Sequence, residues 1–214
     1  ISNVFEKLKL ISKKILQLFL LEKQKLTYGM IEYYIEGEDV SLREAINELL
    51  TTYMIQASSE YYVMNDMSRE YISNNYPPDN EFVNIIFAKR KQLKQIIQEV
   101  KVYGENAPFN PNTISSNLSN IDRQLATYYL HKALKLGKQK LWDKCEGNLE
   151  KAASIEPDFF EVYKVKAFLY AEKGELYGAI QNYDIALTKC QNDVEKAKVC
   201  YLLCFLYYKN ARDR

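Results

Sequence analysis

The chain has no glycine-rich phosphate loop and no G-x-x-x-x-G-K sequence, so nothing in it cradles a nucleotide's phosphates by itself. Histidine is nearly absent. The single His131 has no nucleophile or metal ligand beside it in sequence, which leaves it a surface or groove position on a helix. Long apolar runs are missing too. The longest one near the start, residues 15–21, is broken by Gln17 and falls far short of the ~20 residues that a membrane-crossing helix needs. No membrane association is expected. The net charge is only +1, which gives no general pull toward nucleic acid or anionic lipid. The four cysteines, Cys145, Cys190, Cys200 and Cys204, sit inside helical patterns rather than in a disulfide framework, and point to a reducing, cytoplasmic setting. Cys200 and Cys204 share a helix face, but without histidine or another cysteine nearby packing explains them better than a metal. No small-residue cleavage site accompanies the early lysine pairs, so no secretory signal is expected. The first residue is isoleucine, as in an excerpt of a longer protein. No catalytic residues, metal site or cofactor are expected within it, and the chain reads as non-enzymatic.

What is present is periodic. Slid by 34 positions, residues 125–191 repeat: Tyr129 falls on Tyr163, Lys132 on Lys166, Ala133 on Ala167, Cys145 on Ala179, Leu149 on Tyr183 and Ala152 on Ala186. A period of this length, with small residues at fixed offsets, marks stacked helix–turn–helix units. Two antiparallel helices approach closely only where side chains are small. Leu136/Tyr170, Trp142/Leu176 and Leu149/Tyr183 then fill the space between them. A third unit begins near Val194, and the apolar row Leu202, Leu203, Phe205 and Leu206 reads as a surface awaiting another helix.

Ahead of the repeats the periodicity is again helical. Val4, Leu8, Ile11, Ile15, Leu18 and Phe19 predict one helix over residues 3–23, with its lysines on the solvated side. A second helix is expected from Leu26 and ends at Gly37. A third starts at Ser41, where Glu44 completes a capping box, and buries Leu42, Ala45, Ile46, Leu49 and Leu50. The alternation of YMIQA and YYVMN around Ser58, Ser59 and Glu60 predicts a β-hairpin. Asp66 is expected to cap the helix that follows, which ends before Pro77 and Pro78. Three helices and then a hairpin is the order of a winged helix. That order allows DNA binding, but residues 1–80 carry eight basic and twelve acidic residues. The reading helix would present Arg43, Glu44, Asn47 and Glu48, with no basic row for phosphates. DNA is therefore not the expected partner. A long helix over residues 79–103 follows, with Phe82, Ile85, Ile86, Leu93, Ile96, Ile97 and Val100 as its buried stripe. Its basic cluster Lys89, Arg90, Lys91 and Lys94 reads as a solvated face or as the partner of acidic groups in the first 80 residues. Residues 104–117 form a linker or packed loop.

Two resemblances add to this reading. The repeat region, most clearly YKVKAFLYAEKGELYGAIQNYDIAL, resembles the tetratricopeptide repeat (TPR) family. Gly174 matches its turn glycine and Pro157 its closing proline, whereas Lys132 and Lys166 replace a leucine and Gln191 a second proline. The resemblance implies a partner site on the inner face made by each unit's first helix: Thr127, Leu130, His131, Leu134 and Lys138, then Glu161, Lys164, Phe168 and Glu172. Apolar residues beside charged ones suit a protein or peptide ligand. The segment YYVMNDMSREYI resembles the winged helix of NB-ARC-type STAND ATPases, where a Met-His-Asp motif opens a helix. Met64, Asn65 and Asp66 stand in those positions, followed by Met67, Ser68, Arg69 and Glu70. The family's histidine approaches the nucleotide phosphates and its aspartate holds the motif's backbone. Asn65 can donate a hydrogen bond but cannot become cationic.

The expected organisation is thus mainly α: a winged-helix domain over 1–78, a connecting helix and linker over 79–117, and a TPR-like α-solenoid over 118–214. The resemblance implies a sensor whose repeats bind a partner while the winged helix relays to an intramolecular nucleotide-binding domain, which would carry ATP or ADP before Ile1. Bacterial members of such ATPases serve in defence signalling, which extends the expectation to antiviral defence. The alternatives are a DNA-binding transcriptional regulator with a TPR receiver and an adaptor without a switch.

Overall fold

The computed structural model describes residues 2–22, 25–35, 42–103, 113–114 and 120–212. Among these the chain is mainly helical, with one small antiparallel two-stranded sheet. It divides into two compact units, Ile1–Gln95 and Ile96–Arg214.

The first unit is built around α2 (Leu10–Leu21), which packs on α3 (Tyr28–Tyr34), α4 (Leu42–Thr51), β2 (Tyr61–Met64) and α5 (Asp66–Asn75). Ile11, Ile15, Leu16, Leu18 and Phe19 of α2 are all buried, so its apolar stripe is wide. The single helix expected over residues 3–23 is in fact two. A short α1 (Ser2–Lys7) stops, and Lys9 is extended at φ −59° and ψ 152° before α2 starts. The break has a tertiary cause. In its extended form Lys9 donates its backbone N–H to Glu48 at 3.3 Å and its ammonium to Glu44 at 3.0 Å, while Ser12 also donates to Glu48. Phe5 and Leu8 stay buried through the break, which is why the apolar period did not register it.

The second helix begins at Tyr28, two residues later than expected, because the Thr27 hydroxyl accepts from the Met30 N–H at 3.2 Å. That releases Leu26 to pair with Tyr62 in two backbone hydrogen bonds of 3.2 and 2.7 Å. The stretch between α2 and α3 is thereby tied to the hairpin. The hairpin itself joins β1 (Ile55–Ser58) to β2 in the register Ile55↔Met64 through Ser58↔Tyr61, with Ser59 at φ 56° in the turn. The second helix closes at Tyr34, where the Ile35 N–H caps it by donating to the Ile31 carbonyl at 2.9 Å, ahead of the Gly37 expected to stop it. Ser41 lies outside the described residues, and with it the proposed capping box.

α6 (Asn80–Tyr103) starts at Asp79, whose carboxylate accepts from the Phe82 N–H at 2.7 Å. Two members of its basic cluster, Lys89 and Arg90, are taken up by helix ends, and Lys91 and Lys94 are exposed. Arg90 pairs with buried Glu22 at 2.8 Å and donates to the Leu21 carbonyl, and the Lys89 ammonium donates to the Tyr33 and Tyr34 carbonyls, each at 3.1 Å. Cations on the last carbonyls of α2 and α3 meet the negative ends of those helices. Of the expected stripe, Ile86, Leu93, Ile96 and Val100 are buried, but Ile85 is exposed.

The second unit holds α7 (Ile121–Lys138), α8 (Trp142–Ile155), α9 (Phe160–Lys173), α10 (Leu176–Lys189) and α11 (Asp193–Arg212). α7 packs along α8 and α9 along α10, each pair joined by a short turn, so both are antiparallel helical hairpins. Ala133, Cys145 and Ala152 are buried, as are Ala167, Ala179 and Ala186 in the second pair. The 34-residue period also appears in the backbone. Lys140 N–H donates to Gly137 O and Leu141 N–H to Leu136 O, and the same two bonds recur as Gly174 to Ala171 and Glu175 to Tyr170. Lys140 and Gly174 both take the left-handed conformation, at φ 58° and 88°. α11 modifies the expectation for the third unit. Val199, Leu202 and Leu206 are already buried, and the row left exposed is Tyr201, Phe205 and Tyr208.

Candidate functional site

At the hairpin's exit Met64 is buried and pairs with Ile55, and the Asn65 N–H donates to the Met54 carbonyl at 3.0 Å. Asn65, not Asp66, is the cap of α5: its amide oxygen accepts from the Met67 N–H at 2.9 Å, at φ −62° and ψ 138°. Asp66 is already the first helical residue, so its carboxylate is exposed beside the helix start rather than turned back onto it. The cap lies one residue earlier because only an extended residue can aim its side chain at the free N–H groups of the first turn. Arg69 donates to the Phe19 carbonyl at 2.9 Å, which occupies it as a cap of α2.

The nine residues expected on the inner face of the repeats divide into two groups. His131, Leu134 and Lys138 of α7 and Lys164 and Phe168 of α9 come together around a groove of about 400 Å³. Lys135, Val165 and Leu202 complete its lining. Thr127, Leu130 and Glu161, by contrast, are closed off from solvent, and exposed Glu172 is not part of the lining. Those four are therefore not groove residues. Glu161 is committed elsewhere: it forms an ion pair with Lys164 at 2.6 Å, with both side chains almost wholly buried. Lys164 also donates to the Thr113 carbonyl at 2.9 Å, and Ile114 beside it is buried. Burial pushes the Lys164 ammonium below its ordinary value, while Glu161 works in the opposite direction.

α7 contributes one stripe to the groove because His131, Leu134, Lys135 and Lys138 are spaced by three, four and seven residues. α9 presents Val165 and Phe168 at the positions 34 residues beyond His131 and Leu134. Repetition thus sets two pairs of equivalent residues on one floor. Sequence reasoning missed Lys135 and also Leu202, which arrives from α11 outside the two full repeats. The spacing of Lys135 from His131 and Lys138 was the available signal. Burial lowers the His131 pKa, so the imidazole enters the groove neutral at neutral pH.

A second cavity, of about 310 Å³, lies between α8 and α9 and includes Trp142, Glu146, Tyr170 and Lys173. Three of its four charged residues are satisfied internally, since Glu146 takes Lys166 at 2.9 Å and the Tyr170 hydroxyl at 3.2 Å, and Lys173 pairs with Glu175. It leaves a ligand little to bind. Burial pushes the Cys145 thiol up and the Cys190 thiol up to about 11, so neither is an activated nucleophile. Among the described residues no group of three side chains is placed to hold a metal ion, and no helix is long and apolar enough to cross a membrane.

Comparison with protein-family models, with curated proteins and with solved structures finds no match to this chain.

Proposed function

We propose that residues 118–214 form a TPR-type array that binds a protein or peptide in the α7–α9–α11 groove. In the same reading, residues 1–78 form a winged-helix domain that relays the bound state to a nucleotide-binding domain of a longer protein, as in NB-ARC-type STAND ATPases. The observation that carries the binding half is the convergence of 34-spaced residues, His131 with Val165 and Leu134 with Phe168, on one half-open apolar floor. A repeat surface that reuses equivalent positions in this way suits an extended ligand laid across the first helices. The relay half is supported by the order of α2, α3 and α4 ahead of the hairpin, by the Leu26–Tyr62 tie, and by the position of the Met64-Asn65-Asp66 turn. DNA is not favoured as the ligand of this domain: Glu44 and Glu48 lie on α4, where a phosphate-binding face would need cations.

The binding half is tested by selecting an unbiased displayed peptide library on the whole chain and measuring the winners against Leu134→Ala/Phe168→Ala. Winners that bind the parent chain and fail on the variant support the reading; winners indifferent to the variant overturn it. For the relay half, Asp66→Ala in the longer protein is expected to alter nucleotide retention without unfolding the chain, and unchanged retention would contradict it.

A further inference from the structure

The groove is not electrically neutral. Lys135 and Lys138 bring exposed ammonium groups to it, Lys164 stands with them but is balanced by Glu161, and no carboxylate is in its lining. Neither Lys135 nor Lys138 is paired with a carboxylate among the described residues, whereas Lys166, Lys173 and Lys189 of the same unit each hold one. The sequence shows the same bias, because residues 131–142 contain Lys132, Lys135, Lys138 and Lys140 and no acidic residue. Lys198 is close enough to Lys164 to disfavour its charge further. Proximity to the C-terminus of α7 accounts for lysines on that helix, since cations favour its negative end. It does not account for their meeting Lys164 around an apolar floor. That floor is made of Leu134, Val165, Phe168 and Leu202, of which Leu134 and Phe168 are only half-buried and gain by being covered.

From this juxtaposition we infer that the groove's occupant is an acidic peptide segment carrying a bulky apolar side chain. The inference rests on the proposed reading of the groove as a peptide site and names its ligand class. The apolar side chain seats against Leu134, Phe168 and Leu202, and carboxylates on either side of it meet Lys135 and Lys138. At about 400 Å³ the groove is at the small end of ligand pockets, which suits one anchoring side chain with its adjoining backbone rather than a folded surface. The Lys164 ammonium already donates to a main-chain carbonyl, that of Thr113, so the chemistry of holding non-helical backbone is present at the wall. Lys164 is committed to Glu161 and Thr113; the pairing with ligand carboxylates is assigned to the two exposed lysines.

The test uses the whole chain and three pools of short labelled peptides that share one central Phe, Leu or Trp. The flanks are drawn from Asp, Glu, Ser and Gly in the first pool, from Asn, Gln, Ser and Gly in the second, and from Lys, Arg, Ser and Gly in the third. Fluorescence anisotropy at low and physiological salt reads the affinity, and thermal melting confirms that each variant is folded. The acidic pool is expected to bind best and to weaken with salt. Lys135→Glu/Lys138→Glu should weaken it about tenfold and improve the basic pool, while Lys144→Glu on α8, outside the groove lining, changes neither. If the neutral pool binds as well as the acidic one and is lost on Phe168→Ala, the ligand class is wrong and the groove reading stands. If acidic binding survives both Phe168→Ala and the Lys135/Lys138 reversal, the groove reading is wrong as well. No binding by the acidic pool overturns the ligand class, and the library selection then decides the groove.

Discussion

Lys164 and Glu161 stand 2.6 Å apart on the same face of α9 with both side chains almost wholly removed from water. The pair is structural first. An inner-face lysine at this position reads as a ligand contact, yet its ammonium is divided between Glu161 and the Thr113 carbonyl. Removing one member leaves a buried charge uncompensated. Lys164→Ala should therefore cost about 3–5 kcal/mol in urea unfolding, whereas Glu161→Gln/Lys164→Met recovers most of the loss. A small loss for the single variant would show that water reaches the pair.

The turn between α7 and α8 places a lysine where the next hairpin has a glycine. Lys140, at φ 58°, and Gly174, at φ 88°, terminate their helices with the same pair of backbone hydrogen bonds. A side chain at positive φ carries a steric penalty that glycine avoids. Lys140→Gly is expected to stabilise the chain by about 1 kcal/mol and Gly174→Ala to destabilise it by a similar amount. Melting of the two variants in opposite directions checks the equivalence.

At the start of α5 the cap can be told from its neighbour. Asn65→Ala removes the oxygen that accepts from Met67 and should cost about 1 kcal/mol in urea unfolding. Asp66→Ala should cost less, as only the attraction of an exposed carboxylate to the helix start is lost, typically about 0.3–1 kcal/mol. The reverse order would return the cap to Asp66.

Thiol chemistry gives a pH-dependent check. The Cys190 thiol is pushed up from its ordinary 9.0 to about 11 by burial, with Glu195 and Glu161 adding to the effect. Because the folded value is raised, the folded state holds this proton more tightly than the unfolded chain does. Its contribution to stability is complete below about pH 9 and is lost as the pH rises toward 11. Labelling with a thiol reagent at mildly alkaline pH should modify exposed Cys200 and Cys204 first, Cys190 only at higher pH, and buried Cys145 last, on unfolding.

The sequence made the repeats legible because steric demand leaves its mark at every period: Ala133 and Ala167, Cys145 and Ala179, Ala152 and Ala186 are small where two helices touch. Leu134 and Phe168 were expected at a partner site through the resemblance to TPRs, whose inner face is made by each unit's first helix. What escaped was set by partners distant in the chain. Lys9 leaves the helix for Glu48, Leu26 for Tyr62, and Lys164 turns to Thr113, and none of these pairings has a local signature. Leu202 was assigned to an unpartnered surface because apolar spacing cannot say which side of α11 is already covered.

Partner binding in the α7–α9–α11 groove, as proposed, is tested most directly by methyl NMR of the whole chain. An acidic peptide with one bulky apolar residue is titrated while the Leu, Ile and Val methyl resonances are followed. Leu134, Val165 and Leu202 are expected to shift together and saturably, with Leu18, Ile46 and Ile72 of the first unit unmoved. Saturable shifts at those first-unit methyls, with Leu134, Val165 and Leu202 silent, would contradict it.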